Sequence, residues 1–515
     1  MTTIENKSIL VAVSEYGEFG SLLPLAKEVE KRTRLHPVFV FKADYGLLHE
    51  HGRLVEIEGW SWVQLGTSNR SFNTRMGLSS ENAYVPVRAD SEGENDTIVA
   101  GGYTSSPVFR LPIRFDRLRF LTFRLWNRLT RGRDSSSKYR VSTFLLKRYI
   151  RHAEQIFDKS NPQLILSGQD YALSVTSVLS KVGEKYDVRT VIVPFSMPPT
   201  TKEIIESFAY FGYNRLNKLE ANLAVNIIPH WLNVHRERVY SRVSPSEALA
   251  ADRLGLTPPQ PWLPNSGRGI VCVPSRWAEN YYAKSGIPKS KLRLTGAPWS
   301  DRLVESAKTR PARRERLILN IKALAPKKLK TRSVTDKLAI ISWPPNQYPR
   351  SARGCASYED LCNQFITAIQ ELQNAGVARA VVSLHPTLTD GKLLEKLRAA
   401  EIFVLRSSLI EYVDCADVFI STVSSTNFWA LQCGIPAINF DGYLYGYTEF
   451  DEAGAITITT PFELFSVCRR LFEDETYYAE IRARIADKSP YFCETGGANV
   501  ERIMTTLVNL LPPGK

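Results

Sequence analysis

Asp417-Val-Phe-Ile-Ser-Thr-Val-Ser-Ser-Thr-Asn427, running on through Phe428–Cys433 to Gly434-Ile-Pro436, is the stretch whose reading decides the fold. A short apolar run that ends in hydroxyl residues reads as a buried strand. The residues from Phe428 to Cys433 have a helical pattern, and Gly-Ile-Pro then delivers the chain into a second apolar run, Ala437-Ile-Asn-Phe440. Strand, loop, helix and strand make a βαβ unit, which pairs its strands in parallel. The same alternation lies upstream in Lys337-Leu-Ala-Ile-Ile-Ser342, a helix over 358–375, Ala378-Arg-Ala-Val-Val-Ser-Leu384 and Ile402-Phe-Val-Leu405. Downstream, 461–483 and 496–511 read as helices that cross back toward the first half.

The first half follows the same pattern. Ser8-Ile-Leu-Val-Ala-Val13 is a buried strand, Ser14–Gly20 a glycine-containing loop, and 22–31 a helix, with His36-Pro-Val-Phe-Val-Phe-Lys42 as the next strand. Gln163–Ser167, Arg189–Pro194, Gly269–Val273 and Leu292–Thr295 continue it, with helices over 172–182 and 276–285. The class is α/β, with two doubly wound domains facing a cleft. The expected division is 1–305 with an insertion at about 70–145, a basic connection over 306–335, a second domain over 336–485, and a helical segment over 486–515. Ligands in such sheets bind where the carboxyl ends of the strands line the cleft.

Composition narrows the function. The 515 residues are 43% hydrophobic and 23% charged, as in a globular protein rather than a disordered or fibrous one. No uninterrupted apolar run is long enough to span a bilayer, and the first residues lack signal-peptide regions, so a cytoplasmic location is expected. Seven scattered cysteines without a CxxC pair point to reduced thiols, not to a disulfide framework or zinc. The net charge of +13 is concentrated in two segments. Eight arginines and one aspartate lie between Arg110 and Arg133, and nine basic residues and one glutamate between Thr309 and Arg332. Such clustering, without a reading motif, argues against nucleic acid as a partner. In the first segment Leu118, Leu121, Leu125 and Leu129 recur at helical spacing, with Arg117, Arg124, Arg128 and Arg131 on another face. Two readings fit: a helix lying on an anionic membrane surface, or a surface helix that solvates its arginines.

Candidate chemistry sits at strand ends. Ser424, Ser425 and Thr426, at the start of a helix, form a phosphate receptor from backbone N–H groups and hydroxyls; one hydroxyl would suffice for capping alone. His385-Pro386 directly follows a strand and can donate a hydrogen bond to a leaving phosphate. Asn346 and Arg350, in the loop after Ser342, reach toward the same phosphates.

The second half, through Ser-Leu-His385-Pro, the Tyr412–Thr426 run and Gly434-Ile-Pro-Ala-Ile-Asn-Phe-Asp441, resembles the donor domain of GT-B glycosyltransferases. The nearest are bacterial capsule and lipopolysaccharide enzymes, including sialyl- and Kdo-transferases. Gly17-Glu-Phe-Gly-Ser-Leu-Leu-Pro-Leu-Ala26 is similar to the Gly-His-x-x-Pro-Leu-Leu-x-Leu-Ala segment of that fold. Val273-Pro-Ser-Arg-Trp277, Leu294-Thr-Gly-Ala-Pro298 and Asp301 are similar to the end of its acceptor domain. The resemblance implies a GT-B fold with two Rossmann-like domains. It implies a donor phosphate held by His385 and Ser424–Thr426, a donor ribose bound by Glu452, and a first-domain carboxylate that deprotonates the acceptor. Glu18 is the first choice for that base; Glu15 and Asp170 are rivals, and a helix-start carboxylate favoured by the dipole would equally account for Glu18.

Retaining members commonly place two glutamates eight positions apart around the phosphate helix, and this chain has no such pair. The resemblance therefore implies inverting, metal-independent transfer from a nucleotide sugar to a glycan or lipid-linked acceptor in surface-polysaccharide synthesis, with no cofactor; a peripheral place on the inner face of the cytoplasmic membrane follows only from the membrane reading of the arginine helix. The alternatives are a nucleotide-sugar 2-epimerase, a CDP-polyol phosphotransferase, or an inactive GT-B scaffold. Such epimerases usually carry Ser-Gly-Gly where this chain has Ser424-Ser-Thr-Asn-Phe-Trp429.

Overall fold

The computed structural model describes residues 7–42, 45–65, 134–324, 336–346, 351–385, 388 and 391–512. The proposed membrane helix with Arg117, Arg124, Arg128 and Arg131, most of the expected insertion, and Arg350 lie outside the described residues.

The first half contains strands β1 (Ser8–Val13), β2 (His36–Phe41), β3 (Ser61–Gln64), β4 (Pro162–Ser167) and β5 (Arg189–Ile192). A small antiparallel sheet follows from β6 (Arg215–Leu216), β7 (Leu232–His235) and β8 (Arg238–Ser241). Then β9 (Ile270–Val273) and β10 (Leu292–Leu294) complete a parallel seven-stranded sheet in the order β10-β9-β5-β4-β1-β2-β3. The second half contributes β11 (Leu338–Ser342), β12 (Arg379–Ser383), β13 (Phe403–Val404), β14 (Val418–Ser421), β15 (Ala437–Phe440) and β16 (Ile456–Ile458). Their order is β13-β12-β11-β14-β15-β16, again all parallel. The strand order reverses between β1 and β4 in one sheet and between β11 and β14 in the other. At such a switch point the flanking helices depart to opposite faces and leave a crevice at the carboxyl edge.

Several elements depart from the sequence reading. Ser14–Gly20 is mostly helix, because the helix runs over Tyr16–Thr33 and Glu18 closes its first turn by accepting the Ser14 and Glu15 amides at 2.5 and 3.0 Å. Gly17 is there for packing: a Cβ would stand 2.8 Å from the Phe195 ring. The end of the expected insertion is the helix Asp134–Ser160, which lays Leu146, Ala153, Ile156 and Phe157 on the first sheet. The single helix expected over 461–483 is two, Pro461–Glu473 and Glu475–Phe492, split where Asp474 caps the Tyr477 amide at 2.9 Å.

The basic 306–335 segment is helical over Arg310–Leu324 and docks on the second sheet. Leu317 and Ile321 enter that core. Arg313 grips Asp414 with two bonds, 2.5 and 3.0 Å, and Arg314 reaches Asp417 at 2.7 Å. Four acidic or basic side chains thus neutralise one another where the helix meets the sheet.

The last helix, Asn499–Leu510, returns to the first half and puts Ile503, Met504 and Leu507 against Phe19, Leu22 and Leu25. Burying each such side chain contributes roughly 1.5–3 kcal/mol. Asp301 takes the Asn499 and Val500 amides at 3.0 and 2.8 Å, satisfying the first turn of this helix. Gly296, at φ +77°, lies where any Cβ would collide with Asn499. The Thr295–Asp301 segment therefore serves as the seat for the returning C-terminus.

Candidate active site

At the carboxyl edge of the first sheet, the ends of β1, β4 and β5 enclose a cavity of about 400 Å³. Its wall includes Glu15, Gln169, Tyr171, Phe195, Arg242 and Asn265. Gly168, just past β4, permits the close packing behind it: a Cβ there would meet Glu18 Cγ at 2.9 Å and the Phe195 ring at 3.2 Å.

Glu18 lies behind this wall, wholly buried. Oε2 holds the two amides of the helix start, while Oε1 makes no hydrogen bond of normal geometry. Burial pushes its carboxyl up to about 8, against the opposing pull of the Ser14 and Glu15 amides and of Gln169. Glu15 is exposed and lines the cavity itself. Asp170 points elsewhere. Fully buried, it accepts the Ser266 amide and, at 3.0 Å, the Ser266 hydroxyl, tying the β4 loop to 264–268. Burial raises it to about 6, and it is absent from the cavity wall that its neighbours Gln169 and Tyr171 form.

Two further charged groups near the cavity carry no signal in the sequence. Arg242 follows β8, a strand too short to signal itself by periodicity. Its Nε donates to the Pro261 carbonyl at 3.3 Å, and its guanidinium lies 5.1 Å from the centre of the Phe208 ring. Burial disfavours its charge, partly offset by Tyr171 and Glu15. Glu203 opens the helix Thr201–Phe211 by accepting the Thr200 amide. Burial, and then the nearby charge of Glu449, push it up to about 8. Glu449 starts a short helix after β15, so at this point the two halves come close enough for like charges to repel. Met197, in the loop that rims the cavity, is part of the second half's apolar core. The first-sheet cavity therefore opens beside the second domain.

On the second domain the loops after β12, β11 and β14 leave neighbouring strands in that order. His385 is exposed just beyond β12, and Asn346 is exposed beyond β11. Across two strand spacings, roughly 10 Å, the β14 loop rises through Val423, whose φ of +37° is rare for a β-branched residue. Asn439 on β15 holds this turn by accepting the Val423 amide at 3.0 Å and the Asn427 side chain at 3.2 Å. The Ser424 hydroxyl accepts the Thr426 amide and hydroxyl at 3.3 and 3.0 Å. The amides of Ser424 and Ser425 donate to nothing among the described residues. A turn with this backbone and two successive open N–H groups has a geometry that can accept an anion. The helix behind it, Thr426–Gln432, has only two turns.

Glu452 is exposed and accepts the Thr448 hydroxyl at 3.1 Å. The structure thus gathers Asn346, His385 and Ser424–Thr426 along one sheet edge, and Glu15 with Glu18 along the other. It holds Asp170 in a loop bridge. No described helix is long and apolar enough to cross a membrane.

No family model and no curated protein matches this sequence. Among solved structures, the fold is similar to the UDP-GlcNAc 2-epimerase from Neisseria meningitidis bound to UDP-GlcNAc, with 12% identity, 98% of this chain and 100% of that one covered, and a TM-score of 0.51. It is also similar to the glycotransferase of kitacinnamycin, at 12% identity, 98% and 99% coverage and a TM-score of 0.50. Likeness at this identity is a matter of fold: the chain has the GT-B architecture of two Rossmann-like halves.

Proposed function

We propose that the chain is a glycosyltransferase that takes a sugar from a nucleotide donor, with inversion and without a metal ion, and places it on a glycan or lipid-linked acceptor. The observation that carries this reading is the pairing of two different sites across the cleft. One edge offers an open turn for a phosphate, the other a separate cavity with a reachable carboxylate. An epimerase acts on the donor alone, so an acceptor seat apart from the phosphate turn is what distinguishes the two readings.

In this scheme the donor phosphate rests on the Ser424 and Ser425 amides and the hydroxyls of Ser424–Thr426, with Asn346 and His385 beside them. An acceptor hydroxyl in the cavity gives its proton to a first-domain carboxylate and attacks the anomeric carbon. The bond from that carbon to the phosphate oxygen breaks, and its electron pair leaves with the nucleotide. The open amides and His385 meet the charge that develops there. Access favours Glu15 as the base, since Glu18 is sealed behind it and spends one oxygen on Glu15's own amide. Glu452 at the donor ribose, Arg350 at the phosphate, and the arginine helix at an anionic membrane surface belong to the same proposal. So does synthesis of surface polysaccharide on the inner face of the membrane, of the sialyl- and Kdo-transferase kind.

The test is incubation of the protein with a nucleotide sugar, with and without a glycan acceptor. Sugar transfer that requires acceptor supports the reading. Formation of the 2-epimer without acceptor overturns it in favour of the activity named for the Neisseria neighbour.

A further inference from the structure

We infer that the acceptor carries an anion, a carboxylate or a phosphate on a sugar, and that Arg242 receives it within the first-domain cavity. This rests on the reading of that cavity as the acceptor site. A guanidinium removed from water is costly unless its N–H groups find partners. Arg242 satisfies only its inner nitrogen, through Pro261, while neither terminal nitrogen makes a hydrogen bond or ion pair among the described residues. The Phe208 ring, 5.1 Å from the guanidinium carbon, supplies no hydrogen-bond acceptor. Glu15, a carboxylate that lines the same cavity, makes no ion pair with it.

The result is a half-buried cationic fork, short of partners, on the wall of a cavity. A planar fork matches a carboxylate or phosphate with two parallel bonds, and a neutral hydroxyl would leave it half used. The rest of the wall suits the sugar ring. Phe195 and Tyr171 line the same cavity and offer rings against which a sugar can lie. An acceptor seated by its anion on Arg242 would present a hydroxyl toward Glu15.

Titration of the full-length protein with glucuronate, glucose 6-phosphate and glucose, read by ligand-observed NMR, tests this directly. One of the two anions should bind roughly tenfold or more tightly than glucose, and which one does identifies the acceptor's charged group. Arg242→Gln should abolish the preference; Arg242→Lys should keep part of it, having charge but no fork. Equal binding of all three sugars, binding of neither anion, or an unchanged preference in Arg242→Gln overturns the inference. If Arg242→Gln does not fold, the sugar comparison on the unmodified protein and the Lys variant decides. Stabilisation by nucleotide sugars is read in the same preparations. If it persists while the anion preference fails, only this inference falls; if it is absent, the transferase reading falls as well.

Discussion

Glu15 and Glu18 begin the same helix, yet one faces the cavity and the other is sealed beneath it. Glu15→Gln should therefore lower turnover by about two to four orders of magnitude, with donor affinity little changed. Glu18→Gln should alter turnover by less than about tenfold, because the amide keeps an oxygen for the Ser14 and Glu15 amides and matches the proton that Glu18 already carries near neutral pH. The opposite ranking in steady-state assays would move the base to Glu18. His385→Ala should cost on the order of a hundredfold or more if its ring meets the leaving phosphate; a near-normal rate removes it from the site. At this scale the sequence made the hydroxyl cluster legible, since five hydroxyl residues after an apolar strand have few structural uses. It could not separate Glu15 from Glu18, because spacing at a helix start does not report which carboxylate the chain folds over. Arg242 gave no signal, as its place depends on a three-stranded sheet of very short strands and on Phe208, on a separate helix.

Among the elements, the helix Arg310–Leu324 shows how a basic run can be structural. Arg313→Ala strands Asp414, which is 2% exposed, without its two charged hydrogen bonds. The expected loss in urea denaturation is about 3–5 kcal/mol, largely recovered when Asp414→Ala is added; a loss under about 1 kcal/mol would mean that the pair adds nothing beyond a surface bridge. The strands of both sheets were readable because buried parallel strands are short continuous apolar runs. β3 and β16 were not, being brief edge strands whose residues alternate poorly. The basic composition of 310–324 suggested a linker, since composition cannot show that Asp414 and Asp417, a hundred residues later, wait to pair with it.

For the molecule as a whole, two buried carboxyls set a pH dependence. Glu18 and Glu203 both stand at about 8 in the folded chain against 4.5 unfolded, raised first by desolvation. Between those values the folded state holds more protons than the unfolded one, so their contribution is complete below about pH 4.5 and is lost as pH rises through about 8. Thermal unfolding temperature should accordingly fall from pH 6 to pH 9, roughly, and fall less steeply in Glu203→Gln; a flat profile would mean that these groups ionise at little cost. Alternating apolar runs revealed two α/β halves, while the closing of the chain by Asn499–Leu510 onto the first half depends on Asp301 and Gly296, whose pairing is tertiary. The account rests finally on an anion-binding turn at Val423–Thr426. Thermal unfolding in a panel of UDP-, CMP-, CDP- and GDP-linked sugars, run on the unmodified protein and on Ser424→Ala/Ser425→Ala, tests it most directly. At least one donor should raise the unfolding temperature of the unmodified protein by several degrees, roughly, and have little effect on the double variant. A panel without effect, or equal stabilisation of both proteins, would contradict it.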